Sequence, residues 1–144
     1  MANPNIVSVS SIYGNTTLNA VTTAGVLVAD NVDNAGNTAT TNELFKVNLL
    51  SISNVDGVND ANVSVQVISG VKGGSGKTMH LVKTVTVPAD STLIVIDKNT
   101  SMYLMQDMQI KVIGSTAGDL EAICSYDVIA VSYTHLTLPT NREV

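Results

Sequence analysis

The feature that most constrains this chain is an alternation of apolar and polar residues, repeated from its middle to near its end. Ala61, Val63, Val65 and Val67 alternate with Asn62, Ser64 and Gln66. Leu120, Ala122, Cys124 and Tyr126 are set in the same way against Glu121, Ile123, Ser125 and Asp127. Successive side chains on a strand point to opposite faces, so this spacing buries one face of a sheet; a helix needs apolar residues three and four apart. Met108, Ile110 and Val112 against Gln109 and Lys111 repeat the pattern, and Thr92 to Ile96 (TLIVI) reads as a short, continuously apolar strand. From Glu43, the residues Phe45, Val47, Leu49 and Ser51 share one face while Leu44, Lys46, Asn48, Leu50 and Ile52 share the other. Both faces turn apolar toward the middle, as in a central strand.

Turn residues punctuate these runs. Ile6 to Ile12 reads as a short first strand stopped by Gly14-Asn15, and Gly25 to Ala29 as a second, followed by a long loop from Asp30 to Asn42. The Asp56-Gly57 step predicts a hairpin joining the Glu43 run to the Ala61 run. A glycine-rich connection, Gly70 to Gly76, leads to Met79 through Val87, where Met79, Leu81, Val85 and Val87 share a face with Lys83, and Pro88 ends the run. Asp97 to Thr100 is a polar turn, Met102 to Met105 a strand segment, Gln106-Asp107 a tight turn, and Gly114 to Asp119 the last bend. About eight short strands without a helical stretch predict an all-β fold. The expected architecture is a single antiparallel β-sandwich over residues 1–130, jelly-roll or immunoglobulin-like in connectivity.

Composition narrows function. Charged residues are 13% and aromatic residues 3% of the chain, and the polar remainder is mostly Ser, Thr and Asn, which suits pleated sheet better than helix. A net charge of -5 with seven scattered Lys and Arg leaves no basic footprint, so nucleic acid is not an expected partner. No apolar run approaches the ~20 residues that span a bilayer, and the opening MANPNIVSVSS lacks a signal-peptide pattern, so no membrane partner is expected. Cys124 lies inside an alternating run and reads as a small buried apolar residue. Val131 to Thr140 (VSYTHLTLPT) reads as the translation of a transposase-type sequencing-library adapter. Residues 131–144 are therefore expected to be a non-native tail, and Tyr133, His135, Pro139, Arg142 and Glu143 are excluded from functional argument.

One motif is sharp. Lys72-Gly73-Gly74-Ser75-Gly76-Lys77-Thr78 matches the deviant Walker A loop of ParA-like ATPases, in which backbone N–H groups wrap a phosphate, lysine reaches the outer phosphates and threonine holds Mg²⁺. Such a loop must open a helix. Met79 to Val87 instead alternates with period two, is rich in Val and Thr, and stops at Pro88, so a glycine-rich hairpin loop is expected. His80 is the single histidine outside the tail and is placed on a solvent face, too little for a zinc set or a Ser-His-Asp triad. A Ca²⁺ site at Asp56 and Asp60 lacks the bidentate Glu of an EF-hand loop, so those carboxylates read as turn formers. No catalytic, cofactor-binding or metal residue is assigned, and no cofactor is expected.

The segments NPNIVSVSSIYG (Asn3 to Gly14), KVNLLSISNVDG (Lys46 to Gly57), ANVSVQV (Ala61 to Val67), VPADSTLIVIDKNTSMYL (Val87 to Leu104) and GDLEAICSY (Gly118 to Tyr126) occur in that order. Together they resemble a family of small virion structural proteins of marine tailed phages, cyanophages included, over most of residues 1–129. The chain departs from the family at Met105-Gln106-Asp107-Met108 and at the Gly73 to Lys77 loop, both at hairpin tips. The resemblance implies a β-sandwich subunit without catalytic residues, decorating the head or belonging to the neck or tail. It implies other capsid or tail subunits as partners, a homo-oligomer, and a place in the virion after assembly in the host cytoplasm. The alternatives are a virion-surface carbohydrate or host-binding module, for which only Tyr13, Tyr103 and Tyr126 offer rings, and nucleotide binding through Lys77 and Thr78.

Overall fold

The computed structural model describes residues 9–32, 43–72 and 76–131. They form nine strands: β1 (Val9–Ala20), β2 (Val26–Asn31), β3 (Glu43–Asn54), β4 (Ala61–Ser69), β5 (Thr78–Val87), β6 (Thr92–Ile96), β7 (Met102–Leu104), β8 (Met108–Gly114) and β9 (Leu120–Val131). One 3-10 turn, Lys98–Thr100, separates β6 from β7. The first sheet has the order β1-β9-β3-β6, with β7 also on β3, and the second has the order β2-β8-β4-β5. β6 pairs with Leu50 to Ser53 and β7 with Phe45 to Val47, so the two act as one broken strand along the same side of β3. Each sheet then holds four strand positions, and the chain crosses between sheets at every connection except β4 to β5 and β6 to β7. That interleaving is the jelly-roll connectivity, not the immunoglobulin one.

The expected hairpin between the Glu43 and Ala61 runs does not form. β3 and β4 belong to different sheets, and the Asp56-Gly57 turn carries the chain from one to the other. A local turn signal fixes the bend and says nothing about which sheet receives the next strand. Gly14-Asn15 does not stop β1 either. Gly14 pairs with Asp127 and Asn15 with Tyr126 in an unbroken ladder running from Ser11 to Ala20, because pairing with β9 outweighs local turn propensity. Asp30 and Asn31, assigned from sequence to a loop, end β2, and residues 33–42 of that loop lie outside the described residues. β9 reaches Val131, which pairs with Val9; residues 132–144, the rest of the expected tail, also lie outside them.

The core fills the space between the sheets. Phe45 and Val47 face it from the first half of β3, Leu50 and Ile52 from the second half. The register against β9 shifts between Val47 and Leu49, and this bulge moves the apolar phase by one residue. The two apolar faces apparent in the sequence are thus largely one face on either side of a bulge. β9 carries Ala122, Cys124, Tyr126 and Val128 inward, as its alternation predicts, and the Tyr126 ring stacks on Phe45 with centroids 4.6 Å apart. β5 departs from its pattern. Its register against β4 shifts at Val63/Val65 and again at Val65/Gln66, with Thr84 at φ 51, so Val82 and Val87 meet the core while Met79, Leu81 and Val85 are exposed.

Two buried asparagines hold the corners at opposite ends of β3. Asn54 donates to the carbonyls of Asn59 and Val87, both at 2.9 Å, and its Oδ1 accepts the Asp56 N–H at 3.0 Å. Asn31 donates to the carbonyls of Glu43 and Leu104, both at 3.0 Å. Each amide donates to backbone carbonyls close to where the chain leaves one sheet for the other. Asn54→Ala removes the side-chain donor from the Val87 carbonyl at a buried position and is expected to cost about 1–3 kcal/mol in urea denaturation. Val58→Ala, at a side chain 83% exposed on the adjoining loop, is expected to stay within about 0.5 kcal/mol of the parent.

Candidate functional surface

The glycine-rich segment closes the β4–β5 hairpin. Gly70 takes φ 62 after β4, the Ser69 N–H donates to the Lys77 carbonyl at 2.9 Å, and the Lys77 N–H donates to Ser69 Oγ at 3.3 Å. A Cβ at Gly76 would overlap the Ser69 carbonyl oxygen, so glycine there answers a close backbone approach within the hairpin. Thr78 opens a strand rather than a helix and pairs with Ile68. The Lys72 N–H donates to Asp107 Oδ1 at 2.9 Å, placing a carboxylate at the start of the loop. Gly73, Gly74 and Ser75 lie outside the described residues. Among the described residues no helix follows the loop to aim its N-terminus at a phosphate. Titration of ATP into the protein in a calorimeter is expected to give the same trace for the parent and for Lys77→Ala.

The other sequence candidates scatter. His80 is exposed on β5, with Nε2 3.3 Å from Gln66 Nε2 across the β4–β5 pair. Asp56 accepts the N–H groups of Val58 at 2.8 Å and Asn59 at 3.2 Å and the Asn59 side-chain amide at 3.2 Å, and these donors hold its carboxyl below the ordinary 3.8. Asp60 accepts the Ala89 N–H at 3.1 Å. Both carboxylates are thus engaged in turn formation. Among the described residues no three His, Cys, Asp or Glu side chains gather as a metal-holding group. Of the three tyrosines, Tyr126 is buried, while the pairing puts Tyr13 in register with core residues Val128 and Phe45 and Tyr103 in register with Lys46 on the opposite face. They build no shared aromatic platform.

Cys124 is fully buried, and burial pushes its thiol up to about 12 from an ordinary 9.0. A raised folded-state value means that the native protein keeps a proton which the unfolded chain releases. The contribution to stability is whole below pH 9 and is lost as pH rises toward 12. Burial raises the Tyr126 hydroxyl as well, with the same sign, although the Asn15 amide hydrogen-bonded to it works the other way. Cys124→Ala is therefore expected to lessen the alkaline decline in stability without abolishing it. Thiol reagents are expected to leave native Cys124 unmodified and to label it once denaturant opens the core.

The notable surface is the outer face of the first sheet and the margin beside it. Register sets Leu18, Ile123, Ser51 and Ile94 in one cross-strand row, and Ile12, Ile129 and Leu44 in another. Leu18 is 74% exposed, Ile12 62% and Ile94 50%, whereas Ile129 and Leu44 are buried. A shallow hollow of about 380 Å³ lies between Leu18 and Ile123 over the ends of β1 and β9. Sequence reading missed this surface because it stopped β1 at Gly14. The uncharged run continuing through the β-branched Thr16 and Thr17 to Leu18 was the available signal.

No protein-family model matches the sequence, and no curated protein matches it. Solved structures align with most of this chain at low identity. A chain of the disulfide-linked pili that form Bacillus endospore appendages aligns with a TM-score of 0.45 at 14% identity, over 85% of this chain and 90% of that one. A chain of the T13 viral particle of infectious bursal disease virus aligns at 0.43 and 9% identity, over 85% of this chain and 31% of that one. The VP2 subviral particle of the same virus aligns at 0.40 and 14% identity, over 86% and 33%. The chain spans about a third of the length of these viral chains.

Proposed function

We propose that this chain is a structural subunit of a tailed-phage virion, a head decoration or a neck- or tail-associated protein, that works by protein–protein assembly and not by catalysis. The observation that carries this reading is the exposed pair Leu18 and Ile123 on a jelly-roll sheet, with Ile94 beyond Ser51 in the same row, adjoining an uncharged strand at the sheet margin. Contiguous apolar surface of this kind marks association sites, and an interface poor in charge closes with little desolvation cost. The phage particle enters through the sequence resemblance of residues 1–129. Neighbouring subunits, identical or different, would cover the apolar row, with assembly in the host cytoplasm and residence in the virion.

Mass spectrometry of gradient-purified virions is expected to find the protein co-sedimenting with the major structural proteins. Its absence from particles, together with a monomer at high protein concentration, would end the assembly reading.

A further inference from the structure

The geometry points to the edge of β1 that pairs with no other strand among the described residues as the contact through which two copies of this chain join, antiparallel and edge to edge, with Asn15 at the two-fold axis. This deepens the assembly reading above and rests on it for the expectation that the chain self-associates. Natural edge strands are blunted by charge, bulges, proline or shortness, because an unpaired row of N–H and C=O groups is a template for another strand. The other sheet margins show such devices. β5 carries two register shifts, Lys83 and Thr84 at φ 51. β2 is six residues long, shifts register between Leu27 and Ala29, and bears Asp30. The far side of the first sheet is fractured into β6 and β7.

β1 shows none of these after its first residues. Ser11 to Ala20 pair one for one with Ala130 to Glu121, and no charged residue or proline occurs between Val9 and Ala20. A long, regular, uncharged margin is what strand addition requires.

The order of residues along β1 favours β1 of a second copy as the added strand. Around Asn15 the segment is symmetric in character except where Tyr13 falls opposite Thr17: Ser11 and Asn19 are polar, Ile12 and Leu18 are apolar, and Gly14 and Thr16 are small. Antiparallel pairing centred on Asn15 sets Ile12 against Leu18 of the second copy, and Leu18 against its Ile12. Both are exposed in the single chain and both face the outer side of the sheet. The row Leu44, Ile129, Ile12 then runs on into Leu18 and Ile123 of the second copy, and the converse row forms on the other side of the axis. An isologous contact meets every residue with its own symmetry mate's neighbourhood, so a charged strand would oppose like charges; β1 has none to oppose.

Sedimentation velocity on the full chain tests this directly. The parent is expected to be a dimer. Ile12→Lys with Leu18→Lys places cations opposite one another across the axis and is expected to weaken association on the order of a hundredfold, the effect of opposed like charges at an interface. Ile12→Lys with Leu18→Glu sets each new cation against a new carboxylate and is expected to restore the dimer. Should the charged variants fail to fold, oxidation of a mixture of Ile12→Cys and Leu18→Cys chains decides. In this register the mixed pair lies about 5 Å apart between Cβ atoms, whereas Ile12 lies about 20 Å along the strands from its own mate. Mixed cross-links are expected to dominate, and equal yields of mixed and self products overturn the register. An oligomer unaffected by the lysine pair, or a parent monomer still present in virions, overturns β1 pairing and leaves the assembly reading standing. A parent monomer absent from virions removes both.

Discussion

The fold depends on satisfying the backbone where the chain leaves one sheet for the other. A jelly roll makes that crossing at most of its connections, and each crossing removes peptide groups from a ladder while keeping them near the core. Asn31 and Asn54 answer this at opposite ends of β3, each with a buried amide that donates to two carbonyls from separate strands or loops. Their partners lie 12 to 73 residues away in sequence for Asn31 and five to 33 for Asn54, so each amide ties distant parts of the chain at one point. With the corners fixed, hydrophobic packing of Leu50, Ile52, Ile110 and Val112 can hold the two faces in one registration.

What the sequence made legible was the strand, and what it hid was the partner. Thr92 to Ile96 reads as a strand and is one, with those bounds, because a short β-branched run between a proline turn and an Asp cap has little other use. The alternation of Leu120 to Tyr126 predicts its buried face correctly over the whole run. Pairing is set by contacts between segments far apart in the chain, so the Asp56-Gly57 bend read as a hairpin when it is a crossing. Bulges were hidden as well: one extra residue near Asn48 or at Thr84 flips every side chain beyond it, and nothing in the local composition of β5 announces the flip.

The Lys77-Thr78 motif shows how a functional string can arise from conformational need. Gly76 sits where a side chain would strike the Ser69 carbonyl, and Gly70 supplies a left-handed turn out of β4. Lysines at the tip of an exposed hairpin keep it solvated. Gly76 of the motif thus answers hairpin closure, and the pairing of Thr78 with Ile68 excludes a helix starting there, which the chemical resemblance would need.

The break between β6 and β7 bears on how far such a protein can grow. At the 3-10 turn between them, Asp97 accepts the N–H groups of Asn99 and Thr100 at 2.9 and 3.1 Å, while the Thr100 hydroxyl accepts the Asp97 N–H at 2.9 Å, turning these polar groups inward on the turn itself. An incoming chain would find no continuous ladder there. The first sheet is therefore one-ended, receptive along a single margin and sealed along the other. Were that margin taken up in the symmetric contact proposed above, the first sheet would offer no second regular edge among the described residues for further strand addition.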